Sequence, residues 1–164
     1  IGDRIAGQGH YRLIRQLTAT TREPFGQPPP VSTAATRPKQ ERVALVVFVD
    51  QAGLLCLRWL RKGFRHCFVI VRVDRGWIAC DPMSHRTDLD LFGDLSPDQL
   101  AHWYRSLGLN VVRTRIRSAP LRLAPVRPYT CVEAVKHVLG LHAPWTLTPW
   151  QLYKRLRHED VRAD

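Results

Sequence analysis

Three residues of this chain have the types that thiol-based acyl transfer needs: Cys131, His66 and Asp81. Cys131 lies in "TCVEAVKHVLG", directly after a threonine that can cap a helix. Its sulfur therefore falls in the first helical turn, where unpaired backbone amides and the helix dipole favour an anion. Within that helix Cys131, Val135 and Val138 recur at helical spacing, with Val132 and Leu139 flanking, so the cysteine should face the core side. A thiolate nucleophile requires a histidine within hydrogen-bond reach, and the histidine requires a third group to fix its ring and tautomer.

The stretch "HCFVIVRVDRGWIACDPMSH" supplies both partners, with His66 at the mouth of one strand and Asp81 at the end of the next. With "DRG" as the turn, and Gly76 available for positive φ, the strands 66–73 and 77–81 run back antiparallel and return Asp81 toward His66. In an ideal ladder of that register the two side chains face opposite sides. Their pairing then calls for a bulge, or for an Asp81 that lies beyond the ladder and is re-aimed by Pro82.

Other candidates are less specific. The backbone amide of Cys131 and the side chain of Gln51, just past the first strand, are candidate oxyanion donors. Trp145 and Trp150, with Tyr153, are either an apolar cap over the core or a wall of a substrate groove, and the cap is the simpler expectation. Cys67 and Cys80 sit inside the hairpin strands and read as core residues, and Cys56 reads as helix packing. A zinc site from His66, Cys67, Cys80 and His85 lacks the CxxC or HxxxH spacing such sites use, so neither a metal nor another cofactor is expected.

The elements that must hold these residues follow from pattern. "VALVVFV" is a continuous apolar run rich in β-branched residues, consistent with a strand buried on both faces. A short helix over 52–62 is expected next, then the hairpin. "SPDQLAHWYRSLG" carries Ser96 as N-cap, proline at the first helical position, Gln99 three residues after the cap and a closing Gly108. "LNVVRTRIR" alternates as a strand with Arg113, Arg115 and Arg117 on one solvent face or edge. Two helices close the chain, each opened by a capping box, Thr130 with Glu133 and Thr148 with Gln151. The order is tail, β, α, β, β, α, β, α, α: an α+β fold with a small, mainly antiparallel sheet.

The two motif segments resemble the His and Asp segment and the Cys segment of papain-like and transglutaminase-like thiol enzymes. Most members place cysteine before histidine, whereas here the cysteine follows. The order resembles that of circularly permuted members, including bacterial cell-wall peptidase relatives and lecithin retinol acyltransferase-like proteins. The resemblance implies a permuted fold over 43–157, with Cys131 as nucleophile, His66 as acid and base, and Asp81 as orienting residue. It also implies a cysteine peptidase or amidase, with cell-wall peptides as one substrate class.

At 164 residues and 45% hydrophobic, the chain suits one domain with a core, over 43–164, preceded by a proline-rich, basic tail or linker over 1–42. The net charge of +11, carried mostly by arginine, suits either contact with a polyanion such as nucleic acid or simply a basic surface. A second function class is therefore open: an inactive fold used in an assembly such as a virus particle, with the tail binding neighbouring subunits or nucleic acid. No apolar run is long enough to span a bilayer, and the sequence, which starts at Ile1, shows no secretory leader. The unpaired cysteine spacing points to reduced thiols in a cytoplasmic or particle-enclosed setting.

Overall fold

The computed structural model describes residues 42–50, 59–83, 85–118 and 128–160. The expected tail over 1–42, apart from Arg42, lies outside the described residues, and so do Gln51 and Cys56. Five strands, β1 (Val43–Val49), β2 (His66–Val73), β3 (Gly76–Pro82), β4 (Thr87–Phe92) and β5 (Asn110–Arg115), form one antiparallel sheet in the order β4-β3-β2-β1-β5. Among the described residues three helices accompany it: α1 (Pro97–Ser106), α2 (Cys131–Leu139) and α3 (Pro149–Asp160). The class is α+β, as the pattern predicts.

β1 owes its place to its composition. Ala44, Leu45, Val46, Val47 and Phe48 are each 0% exposed, which requires cover on both faces of the sheet. Ala44, Val46 and Phe48 share a core with Cys67 and Val69 of β2, Val132, Val135 and Leu139 of α2, and Leu152 and Leu156 of α3. On the opposite face Phe68 meets Tyr104 of α1 edge to face, with ring centroids 5.8 Å apart. The sheet therefore lies between α1 on one side and the α2–α3 pair on the other.

Caps set the helix boundaries. In α1 the Ser96 hydroxyl accepts from the Gln99 amide at 3.1 Å and the Gln99 side chain accepts from the Ser96 amide at 2.9 Å, a complete capping box. Thr148 and Gln151 repeat this at α3, at 3.3 and 3.0 Å. At α2 only half of the expected box forms. Thr130 accepts from the Glu133 amide at 3.3 Å, but the Glu133 carboxylate instead takes the Lys136 ammonium at 2.6 Å.

Lys136 explains that departure. Its ammonium is buried, and it also donates to the carbonyls of Ala143 at 3.0 Å and Thr146 at 3.1 Å, tying α2 to the loop before α3. Removing it strands a carboxylate and two carbonyls in a site closed to water. Lys136→Ala is expected to destabilise the fold by about 3 kcal/mol, read as a lower urea midpoint with unchanged slope; an unchanged midpoint would refute this account.

Several expectations need correction. Most of the segment expected to be helical over 52–62 lies outside the described residues, which resume at Trp59 in a 3-10 conformation and continue as bend and turn through 60–62. β4 is a strand that the expected order lacks; its "TDLDLF" alternation carries two aspartates, poor strand formers, and it gains its place by pairing along β3. Leu89 and Leu91 of β4 are exposed on the face that Cys80 and Ile78 share. The arginines do not share one face: Arg113 reaches Asp98 of α1 at 3.4 Å, whereas Arg117, beyond the end of β5, pairs with Glu159 of α3. Arg42, assigned to the tail, already belongs to the sheet's edge, because its carbonyl accepts from the Ile116 amide at 2.8 Å.

The hairpin register differs by one residue from the expected one. Val73 pairs with Gly76, so the turn is Asp74 and Arg75 alone and β3 starts at the glycine. Gly76 has φ +125°, and a Cβ there would lie 2.2 Å from the Phe92 carbonyl oxygen. Both the dihedral and the close approach of β4 demand glycine. Gly76→Ala should lower stability by about 2 kcal/mol or more and loosen β4, seen as faster amide hydrogen exchange along 87–92; unaltered exchange would argue against it.

Candidate active site

The register decides where Asp81 points. Val69 pairs with Cys80, so continuing the ladder by one residue sets Asp81 opposite Phe68. Directly opposed residues share a face, and His66 lies two residues from Phe68, so it shares that face too. The expected opposition of His66 and Asp81 came from a three-residue turn, and the two-residue turn removes it. By alternation alone this face is the one that α1 covers, but the β2–β3 pairs end at Val69 and Cys80, so His66 and Asp81 stand at the open end of that hairpin. The outcome is a hydrogen bond of 2.6 Å between His66 Nε2 and Asp81 Oδ1. Asp81 is 4% exposed, so this bond forms largely out of water and holds the ring firmly.

Cys131 opens α2, and its sulfur and the His66 ring each shift the other's proton affinity. The carboxylate holds the imidazole through Nε2 and leaves Nδ1 outside that bond, the division of labour that a triad requires. The helix stripe runs through Val132, Val135 and Leu139, with Cys131 and Val138 packed at its side. The sulfur is therefore half-buried at the rim of the core and not within it.

A third partner was not anticipated as functional. Cys67, expected and found to be core, belongs to the cluster against which Cys131 packs and helps to lower the Cys131 thiol. His66 and Cys67 are neighbours in β2, and both act on the residue that opens α2. The only signal in the sequence was the adjacency of histidine and cysteine at a strand mouth, which pattern alone assigns to opposite faces.

The electrostatics follow from these contacts. The Cys67 thiol hydrogen bond is the largest influence on Cys131; burial opposes it, and the hydrogen bond and charge of His66 reinforce it, lowering the thiol to about 4. His66 is pulled down by burial, but its hydrogen bonds to Asp81 and Cys131 and their charges outweigh this and raise it to about 9. Between these values the pair is thiolate and imidazolium. Burial, aided by the neighbouring Cys131 and Asp81, pushes Cys67 well above the ordinary thiol range and keeps it a neutral donor. Burial likewise raises the Tyr104 phenol, with the charges of Asp90 and Asp81 adding to it.

The remaining candidates lie elsewhere. Trp150 belongs to an aromatic cluster, 4.8 Å from Phe64 and 5.5 Å from Tyr153 by ring centroids, with the Arg61 guanidinium 3.8 Å above it. That is the cap expected over the core. Trp145 is exposed, and Gln51 lies outside the described residues. Among the described residues, no group of three His, Cys, Asp or Glu side chains is set to hold a metal ion, and no helix is long and apolar enough to cross a membrane. In comparison with known proteins, no family model, curated protein or solved structure matches the chain.

Proposed function

We propose that this protein is a thiol-dependent hydrolase, a peptidase or amidase, with Cys131 as nucleophile, His66 as acid and base, and Asp81 as the residue that positions His66. What carries the proposal is the short His66–Asp81 hydrogen bond through one ring nitrogen, in a chain whose helix-start Cys131 is electrostatically coupled to the same histidine. The Cys131 thiolate attacks the amide carbonyl carbon, and the imidazolium of His66 gives its proton to the departing amine. Water, deprotonated by neutral His66, then cleaves the thioester and restores the thiol pair. The first-turn amide of Cys131 is the candidate donor to the developing oxyanion.

The chain order of histidine before cysteine, together with the antiparallel sheet, supports a relation to circularly permuted papain-like or transglutaminase-like enzymes. Cell-wall peptides are the substrate class that this relation suggests. The exposed Leu89 and Leu91, which continue the sheet face from Cys80, offer an apolar surface for the acyl side of such a chain. A panel of peptide amides and muropeptides tests the proposal. Hydrolysis by the intact protein that falls at least a thousandfold in Cys131→Ala is expected; equal rates in both would overturn it and favour an assembly role.

A further inference from the structure

The sheet ends in two strands of opposite character. β4 is outermost on one side and β5 on the other, and no described strand pairs along the outer side of either. Such an edge presents a row of backbone amides and carbonyls that a further strand can satisfy. One row of the ladder crosses from Arg113 of β5 through Leu45, Ile70 and Ala79 to Asp90 of β4. A base therefore stands at one end of that row and an acid at the other, both on the face that α1 covers. On the opposite face, the adjacent rows end in Val112 and Thr114 at the β5 side and in Leu89 and Leu91 at the β4 side.

We propose that β4 of one copy pairs with β5 of a second copy of this chain, so that the sheet continues from molecule to molecule. Strand direction allows it. Four antiparallel pairings separate β5 from β4, so the two run the same way, and a second copy in the same orientation pairs them in parallel. Parallel pairs are generally covered on both faces. β5 brings that cover with it: Arg113 reaches Asp98 of α1 at 3.4 Å on one face, and on the other Val112 shares a core with Leu152 and Leu156 of α3.

Charge selects this pairing over the symmetric ones. Two β4 edges set Asp88 and Asp90 near their own kind, and two β5 edges do the same with Arg113 and Arg115; like charges facing each other across strands destabilise a sheet. The mixed edge instead sets Asp90 beside Arg113. Asp88 already has Arg86 at 2.8 Å, whereas among the described residues no arginine or lysine pairs with Asp90. The Arg113–Asp98 contact joins two exposed side chains and adds little stability, so Arg113 can turn to a second acid at small cost. Leu89 and Leu91, 67% and 66% exposed, lie in the same rows as Val112 and Thr114 and come under α3 of the neighbour. The contact is heterologous, so copies add end to end instead of closing as a symmetric pair.

The inference does not depend on the protein being a hydrolase. The test is sedimentation velocity on the whole reduced chain at low salt over a range of concentrations. The expected result is a weight-average mass that rises with concentration past that of a pair, and that falls when salt screens the edge charges. Asp90→Arg and Arg113→Asp should each weaken association about tenfold, with circular dichroism unchanged because neither side chain is buried. Each variant alone carries like charges at its two edges. Mixed together they present opposite charges again, so the mixture should regain the association of the unaltered chain, and so should the double variant. Leu91→Lys, on the other face of the same edge, is a further variant that should weaken association even if a charge reversal unfolds the chain. A monomer at every concentration overturns the inference. Association that none of the three substitutions weakens also overturns it, because the contact then lies elsewhere, and so does a mixture that fails to regain what the single reversals lost.

Discussion

Iodoacetamide should alkylate Cys131 at pH 5 about a hundredfold faster than it alkylates an ordinary thiol. The factor comes from two opposing effects. With the thiol lowered to about 4, nearly all of Cys131 is thiolate at pH 5, against roughly one part in ten thousand for a thiol at 9. A weaker base is also a weaker nucleophile, and a slope of roughly 0.4–0.5 per unit returns about two of those four powers of ten. Cys67, fully buried and neutral, should stay unlabelled until the protein unfolds. The deprotonated form is the reactive one, so the depressed value extends reactivity downward: the rate should rise through about pH 4 and be level above it. A midpoint near the ordinary thiol value would dissolve the thiolate, and with it the nucleophile. Cys67→Ala should move the midpoint upward, because the Cys67 thiol is the largest influence holding it down.

Asp81→Asn should act on the other side of the pH range. Hydrolysis needs the imidazolium to protonate the leaving amine, so activity should fall as pH rises through the His66 value of about 9. The protonated form is the useful one, and a raised value therefore extends activity upward. Two of the four influences that raise it, the leading hydrogen bond among them, come from Asp81. An asparagine keeps an acceptor for Nε2 but loses the charge. If His66 returns toward 6.5, its protonated fraction at pH 8 drops from roughly nine-tenths to roughly one-thirtieth, and kcat/KM should fall about thirtyfold at pH 8. At pH 5 the imidazolium is present either way, and the loss should be a few-fold at most. An equal loss at both pH values would mark Asp81 as a structural residue only. The alkylation profile gives an independent check, because it follows the low-pH limb of Cys131 and not the proton donor.

Much of the fold was legible residue by residue. The five consecutive apolar residues of β1 could be satisfied only by a strand covered on both faces, and they are. Ser96 with Gln99, and Thr148 with Gln151, mark their helix starts because a capping box is local: its donors and acceptors lie within four residues and answer to no distant contact. Thr130 and Glu133 have the same pattern, but there the carboxylate is claimed by Lys136, whose ammonium is in turn held by carbonyls across the loop before α3. β4 went unseen because Asp88 and Asp90 argue against a strand locally, while the exposed edge of β3 supplies the partner that makes one.

The candidate site divides in the same way. Sequence alone determined which residue types were available and one local fact, that Cys131 sits in the first turn of a capped helix, since both depend on neighbours within a few positions. Only the tertiary structure decided that Val73 pairs with Gly76, and the resulting shift of one residue turned Asp81 onto the face of His66, because side chains alternate along a strand and a single step reverses every one of them. It also decided that Cys67, unremarkable in its strand, lies in the core against which the candidate nucleophile packs. That packing joins β2 to a helix far along the chain, and no spacing records it; it exists because the apolar face of α2 must be buried on the sheet.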